Sequence, residues 1–190
     1  MVITRVDVNN DIRMLMQSME DANRSLVSPK QALSLSMLWP MGCALSYGLA
    51  MLWTFFNYEP GIDPFGNTTT LMRDYGFVFL FGFLSLLFAL VISFGLYGPA
   101  LAYLSLDEEV RKKSILVKRF KNLASKLGKF FFICNVGLAL FSFKLPELLV
   151  ASPFMLLFSF LIMQGIISAE ATRYGISSIM GKLTKLAKKI

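Results

Sequence analysis

An all-α membrane bundle with four transmembrane helices is the fold that this sequence predicts, and three observations lead to it. The chain is 55% hydrophobic and only 16% charged, whereas globular proteins average about 25% charged residues. Residues 76–104 contain no charged or amide side chain, and about twenty such residues suffice to cross the roughly 30 Å hydrocarbon layer. The segments that flank and connect the spans are alternately rich and poor in lysine and arginine, as the positive-inside rule requires. We therefore expect residues 1–190 to form a single membrane domain.

The polar N-terminal segment predicts a short amphipathic helix. Residues 1–30 are charge-balanced and lack an early apolar run, so we expect no cleaved signal peptide. The Asn9-Asn10-Asp11 sequence offers helix N-cap chemistry, and the apolar residues that follow recur at near-helical spacing. The helix should end before Ser28-Pro29 and lie on the bilayer surface or against the bundle. A docking site for a soluble partner is the alternative.

The first span is predicted at residues 32–56 and the second at residues 75–104. Both carry small residues at four-residue spacing, a pattern that lets helix backbones approach closely in lipid. These faces should pack together within the chain, or alternatively against a second copy of the protein. Gly95, Gly98 and Pro99 predict a kink near the end of the second span. The helix-packing role is assigned to Gly42, Ser46, Ala50, Ser85, Ala89 and Ser93.

Residues 57–74 connect the first two spans. They are rich in Pro, Gly, Thr and Asn and contain one basic residue, Arg73. Such a composition predicts an ordered, turn-rich loop.

The second half of the chain combines apolar and basic segments. Residues 105–129 contain eight Lys or Arg residues around a stripe of leucine and phenylalanine, which predicts a basic amphipathic helix that runs into the third span at residues 128–143. A turn at residues 144–147 leads to the fourth span at residues 148–169. The tail, residues 179–190, repeats the basic amphipathic pattern and should lie on anionic lipid.

The basic residues also predict the orientation of the chain. Lys and Arg number four before the first span, one in the first loop, eight in the middle connection, one in the Lys144 turn and five in the tail. Under the positive-inside rule both termini are then cytoplasmic and residues 57–74 face outward from a bacterial inner membrane. Because these basic residues flank the spans, we expect them to contact anionic lipid and not nucleic acid.

The side chains needed for catalysis are scarce. The sequence has no His, and Cys43 and Cys134 lie in separate apolar runs, so we expect no metal site, no cofactor and no enzymatic activity. A transport path also needs polar groups within the spans. Asn135 and Gln164 should form hydrogen bonds with each other or with backbone groups across the third and fourth spans, and so hold these helices together. Glu170 should form an ion pair with Arg173.

The layout combines the polar start NNDIRMLMQSMEDANRSL, a basic middle connection and a basic tail. In size, hydropathy and this polar start it resembles the inner-membrane entry-exclusion proteins of conjugative plasmids, the TraS group. The resemblance implies non-catalytic binding of another membrane protein, a conjugation component of a donor cell. Colicin-type immunity proteins are similar in layout, and an accessory subunit of a larger membrane complex or transporter is a further alternative.

Specificity is predicted to lie in the loop between the first two spans. Turns present side chains on a fixed frame, and their variation costs the bundle little. The candidate partner-recognition residues are Tyr58, Glu59, Asp63, Phe65 and Asn67.

Overall fold

The computed structural model describes residues 4–20 and 26–174, and within these ranges the chain is predominantly helical. Four of its helical stretches are long and apolar enough to cross a membrane. The predicted all-α fold is therefore confirmed, and the chain is a multi-pass membrane protein. The helices are α1 (Arg5–Glu20), α2 (Pro29–Phe56), α3 (Leu71–Leu104), α4 (Glu108–Lys113), α5 (Ile115–Ser142) and α6 (Ser152–Arg173), and a 3₁₀ helix (Pro146–Ala151) leads into α6.

The basic middle segment is only partly continuous with the third span. Residues 115–129 lie with it in one helix, α5, as predicted, but Arg111, Lys112 and Lys113 belong to the separate helix α4. α5 has 28 residues, a length of about 42 Å that exceeds the hydrocarbon thickness and leaves its basic turns outside. Ser114 separates α5 from α4, since its ψ of 124° is not helical. The Ser114 hydroxyl oxygen accepts a hydrogen bond from the backbone N–H of Val117 at 3.0 Å, so Ser114 caps the N-terminus of α5.

The predicted start of α1 is wrong. α1 begins at Arg5, more than a turn before Asn9, because Thr4 and Asp7 form a reciprocal cap in which each side chain accepts the other's backbone N–H, at 3.2 and 3.0 Å. In α3 the non-helical dihedral angles lie at Tyr75 (φ −123°, ψ 15°), which the sequence did not predict, and the helix includes Pro99 and ends at Leu104. The kink predicted at Gly95, Gly98 and Pro99 stays a prediction. The tail helix predicted at residues 179–190 lies outside the described residues.

The chain divides into two compact units, and each of the four long helices contributes to both. Among the described residues, the α1 unit comprises 4–20, 26–37, 93–128 and 161–174, and the loop unit comprises 38–92 and 129–160. Whether the chain behaves as the single domain expected from its length stays a prediction.

The α1 unit is organised around the apolar face of α1. Val8, Ile12, Leu15 and Met19 are buried and pack with Leu106 and Leu116. These four α1 residues are three or four positions apart, the spacing that brings side chains to one face of a helix. The amphipathic helix expected here therefore packs against the protein.

The loop unit has a core drawn from several helices. Large apolar side chains outside that core are exposed, as expected of surfaces that face lipid, and examples are Leu38 (74%), Phe77 (76%) and Ile133 (68%). The buried core comprises Tyr47, Ala50, Met51, Val78, Ala139 and Leu149.

Candidate functional site

The loop between α2 and α3 contains a small hairpin, residues 61–69. Ile62 and Thr68 form an antiparallel bridge. The Thr69 N–H donates to the Gly61 carbonyl at 2.9 Å, and the Asp63 N–H donates to the Asn67 carbonyl at 2.9 Å. These bonds give the loop the order that its composition predicts.

The tip of the hairpin follows directly from its sequence. The Gly66 N–H donates to the Asp63 carbonyl at 2.9 Å, which closes a four-residue turn with Asp first, Pro second and Gly last, the preferred order for a type I turn. Gly66 has a φ of +83°, a conformation that glycine adopts without the steric cost that a Cβ would bring. A type I turn followed by a left-handed glycine is a common way to close a short hairpin.

Asp63 holds this hairpin together. Its Oδ1 accepts the backbone N–H groups of Phe65 and Asn67 at 2.9 and 2.8 Å, and its Oδ2 accepts Nη1 of Arg73 at 2.9 Å. The Asn67 N–H is the main reason that the pKa of Asp63 falls below its ordinary value of 3.8, with Phe65 and Arg73 adding to the effect against the opposing effect of burial. Asp63 therefore stays ionised at neutral pH.

The five candidate recognition residues occupy different environments. Asp63 is only 9% exposed, and both of its carboxylate oxygens bond within the loop. It therefore positions the other loop residues. Phe65 is 86% exposed at the tip, and Glu59 and Asn67 are also exposed. Tyr58 is half-buried, and its hydroxyl donates to Asp74 Oδ2 at 2.8 Å. Which of these residues contact a partner stays a prediction.

Ile62 extends the exposed surface of the hairpin. It is 78% exposed, and the sequence analysis did not select it. The signal that could have found it is the Asp-Pro-Phe-Gly turn, which sets the register of the hairpin and places Ile62 next to the turn. A choice of residues by loop composition does not use that register.

Asn135 is the centre of a polar network within the spans. Its Oδ1 accepts the Tyr47 hydroxyl at 2.7 Å, and its Nδ2 donates to Ser159 Oγ at 3.1 Å and to the Phe131 carbonyl at 2.7 Å. The network links α2, α5 and α6 and uses both N–H groups and the oxygen of the amide. The interhelical partners of Asn135 are thus Tyr47 and Ser159, not the Gln164 expected from sequence.

The small residues assigned to helix packing are mostly buried. Ala50, Ser85 and Ala89 are fully buried and Ser93 is 1% exposed, whereas Gly42 and Ser46 are half-buried. A Cβ at Gly42 would lie 3.1 Å from the Phe132 ring, so this glycine faces α5. The assignment of all six residues to packing between helices stays a prediction.

Gly82 is a close-approach glycine that the sequence analysis missed. A Cβ there would overlap the side chain of Met51. The Ser85 hydroxyl donates to the Gly82 carbonyl at 2.6 Å, which keeps that polar group satisfied within α3. Gly82 does not belong to the four-residue repeat of Ser85, Ala89 and Ser93, so the spacing of small residues did not predict its role.

α1 is fastened to the α4–α5 junction by Asp11. The Asp11 carboxylate is buried and accepts the Ser114 hydroxyl and the Leu116 backbone N–H, both at 2.8 Å. Ser18 adds a longer contact to Asp107 at 3.4 Å. The sequence suggested that Asp11 begins its own helix, but the structure uses its carboxylate at the N-terminus of another.

Glu170 pairs with two arginines. Its contact with Arg173 at 3.7 Å agrees with the predicted pair, and a shorter bond joins it to Arg119 Nε at 2.9 Å. Arg119 lies in the basic part of α5, so one of the eight basic residues in that segment is partly neutralised. This ion pair fastens α6 to α5 within the α1 unit.

Among the residues that the structure describes, no group of three or more His, Cys, Asp or Glu side chains is arranged to hold a metal ion. Cys43 is buried, Cys134 is partly buried, and both are free thiols. Comparison of the chain with protein-family models, characterised proteins and solved structures finds no match. The resemblance to exclusion proteins therefore rests on layout alone.

Proposed function

We propose that this chain is a non-enzymatic recognition protein of the bacterial inner membrane that blocks an incoming conjugation component, as entry-exclusion proteins do. The observation that carries the proposal is the braced hairpin: three bonds to Asp63 hold a loop whose tip residue, Phe65, is 86% exposed. An ordered loop with exposed side chains is suited to binding, because little conformational entropy is lost.

The exposed polar face of α1 supports a second surface. α1 buries one side against the α1 unit and leaves Asn9, Asn10, Arg13 and Gln17 exposed. If the partner reaches the cytoplasm, this face is the candidate contact. Colicin-type immunity and an accessory-subunit role use the same two surfaces and differ from exclusion only in the partner.

The orientation of the chain can be tested independently of its activity. Pro64 at the hairpin tip and Lys121 on the basic part of α5 are both exposed. In a chain that lacks the two native cysteines, Pro64→Cys should react with an impermeant thiol reagent in intact cells, and Lys121→Cys should react only after lysis. Ser114 is unsuitable as a probe because it is fully buried. The reverse labelling pattern would move the proposed surface to α1.

A mating assay tests exclusion itself. A recipient that expresses the chain should receive less DNA from donors that carry the cognate element, and transfer from unrelated donors should be unaffected. Phe65→Ala should restore transfer without lowering the amount of protein in the membrane. The matched control is Leu38→Ala, since Leu38 is an equally apolar residue that is 74% exposed on α2.

Two outcomes would contradict the proposal. If the wild-type protein is present in the membrane and transfer from cognate donors is unchanged, the chain is not an entry-exclusion protein. Protection against a membrane-active bacteriocin would then favour immunity. Equal loss of exclusion in Phe65→Ala and Leu38→Ala would show that the hairpin tip has no special role.

A further inference from the structure

The loop unit contains a cavity whose lining includes two of the candidate recognition residues, Tyr58 and Glu59. Its volume is about 350 Å³, and four of its lining residues are aromatic: Trp53, Tyr58, Tyr75 and Phe143. They come from the end of α2, the loop, the start of α3 and the turn after α5. A volume of this size lies within the range of small-molecule sites, roughly 300–1,000 Å³.

The aromatic walls are held by contacts with one another. Tyr58 and Tyr75 meet edge to face with their ring centroids 6.0 Å apart and an interplanar angle of 86°. Trp53 and Phe143 contact each other at 5.6 Å between centroids and 45° between planes. Tyr58 is fixed further by the bond from its hydroxyl to Asp74. The walls are therefore preorganised, which reduces the entropy lost on binding.

The charge of the cavity has one sign. Glu59 and Asp74 are the charged side chains that line it, and both are carboxylates. The neighbouring Arg73 bonds to Asp63 at 2.9 Å, and Lys144 is exposed on the turn next to Phe143. Aromatic faces with adjacent carboxylates attract an organic cation through the ring quadrupoles and by direct charge pairing.

The cavity lies at the ends of two membrane helices, since α2 ends at Phe56 and α3 begins at Leu71. Trp and Tyr are enriched at this level, where their rings meet lipid headgroups. We propose that the cavity binds the ammonium headgroup of a membrane lipid of the phosphatidylethanolamine type. The aromatic rings would surround the ammonium group, and Glu59 and Asp74 would accept its N–H groups. The proposal does not require the exclusion function, although Tyr58 and Glu59 are candidates for both.

The experiment uses Trp53 as a reporter. The chain has two tryptophans, so Trp39→Phe leaves Trp53 alone. The purified full-length protein in detergent is titrated with short-chain phosphatidylethanolamine, with phosphatidylglycerol of equal chain length, and with choline chloride. We expect a saturable change in Trp53 emission with phosphatidylethanolamine, and no saturation at the same concentrations with the other two.

Two variants test the carboxylates. Glu59 is exposed, so Glu59→Gln should leave the fold intact while weakening the apparent affinity by about fivefold, the effect of losing one charge contact. Asp74→Asn in addition should weaken it further. The matched control is Glu147→Gln, an exposed carboxylate of the neighbouring turn that does not line the cavity, and it should bind as the parent does.

Three results would overturn the proposal. Equal affinity of the parent and the double variant Glu59→Gln, Asp74→Asn would exclude recognition of the ammonium charge. Equal saturation by phosphatidylglycerol would show that only the acyl chains bind. Saturation by choline chloride at the same concentration would assign the site to a soluble cation and not to a lipid.

Discussion

Asp11 and Asp63 are two buried aspartates that do the same work over very different distances. Each carboxylate accepts at least one backbone N–H and one side-chain donor, and the two residues are 7% and 9% exposed. The partners of Asp63 lie two, four and ten residues along the chain. Those of Asp11 lie 103 and 105 residues away. One aspartate shapes a loop locally, and the other joins α1 to the start of α5.

The difference determines which of the two could be recognised from sequence. Asp63 precedes Pro64 and Gly66, and this order is turn chemistry that can be read locally. Asp11 looks like a helix N-cap in its own segment, but it supplies a carboxylate to the N-terminus of α5, where the unpaired N–H groups and the helix dipole favour a negative charge. Local sequence contains no signal for a partner a hundred residues away.

Removal of the Asp11 carboxylate should have the largest effect on the structure and tests its long-range role directly. Asp11→Ala leaves the Leu116 N–H and the Ser114 hydroxyl without their acceptor, and hydrogen bonds to a charged group contribute about 1.5–3 kcal/mol each. We expect α1 to lose hydrogen-exchange protection corresponding to about 2 kcal/mol or more. Asn10→Ala, an exposed residue of the same helix, is the control. Unchanged protection of α1 in Asp11→Ala would show that its apolar face alone holds it.

Asn135 extends the comparison to the spans, because its interhelical partners are also remote in sequence. Asn135→Leu leaves the Tyr47 hydroxyl, which is fully buried, without its acceptor. Interhelical hydrogen bonds in membrane proteins contribute about 0.6–1.7 kcal/mol, so we expect a loss of about 1–2 kcal/mol in the free energy of unfolding. The Tyr47→Phe, Asn135→Leu pair should recover part of this loss, since neither polar group is then buried alone. Thermal unfolding in detergent measures both, and an additive double variant would contradict the pairing.

The fold and the site differ in how far sequence reasoning reaches. Apolar length predicted the four spans, and the first span differs from α2 only at its start, residue 32 against Pro29. The sequence predicted that the basic segment runs into the third span at residues 128–143, and α5 (Ile115–Ser142) contains both, whereas the break at Ser114 was not predicted. Helical hydrogen bonding continues across the membrane boundary, so a change in composition marks the membrane surface and not the helix end.

Removing Asp63 should have a smaller and more local effect. Asp63→Ala deprives the hairpin of its three side-chain bonds but leaves α2 and α3 untouched, so we expect faster proteolysis within residues 61–69 and little change in thermal unfolding of the bundle. Glu59→Ala is the matched control, since it removes an exposed carboxylate from the same loop. A large fall in the unfolding temperature would mean that the hairpin supports the bundle and would weaken its assignment as a separable recognition element.

The smallest expected effect is the response of the hairpin to acid. The pKa of Asp63 in the folded loop is below its ordinary value of 3.8, chiefly through the Asn67 N–H. A carboxylate whose pKa is lowered in the folded state contributes its full stabilisation at any pH above its ordinary pKa. This contribution is lost as the pH falls through the lowered pKa. Hydrogen exchange of residues 61–69, corrected for its intrinsic pH dependence, should therefore be constant from pH 7 to about 5 and rise only below about 4. In Asp63→Asn the acid-induced rise should be absent, because no charge remains to be neutralised. A rise above pH 5 in the parent, or one that persists in Asp63→Asn, would assign the acid sensitivity to a group other than Asp63.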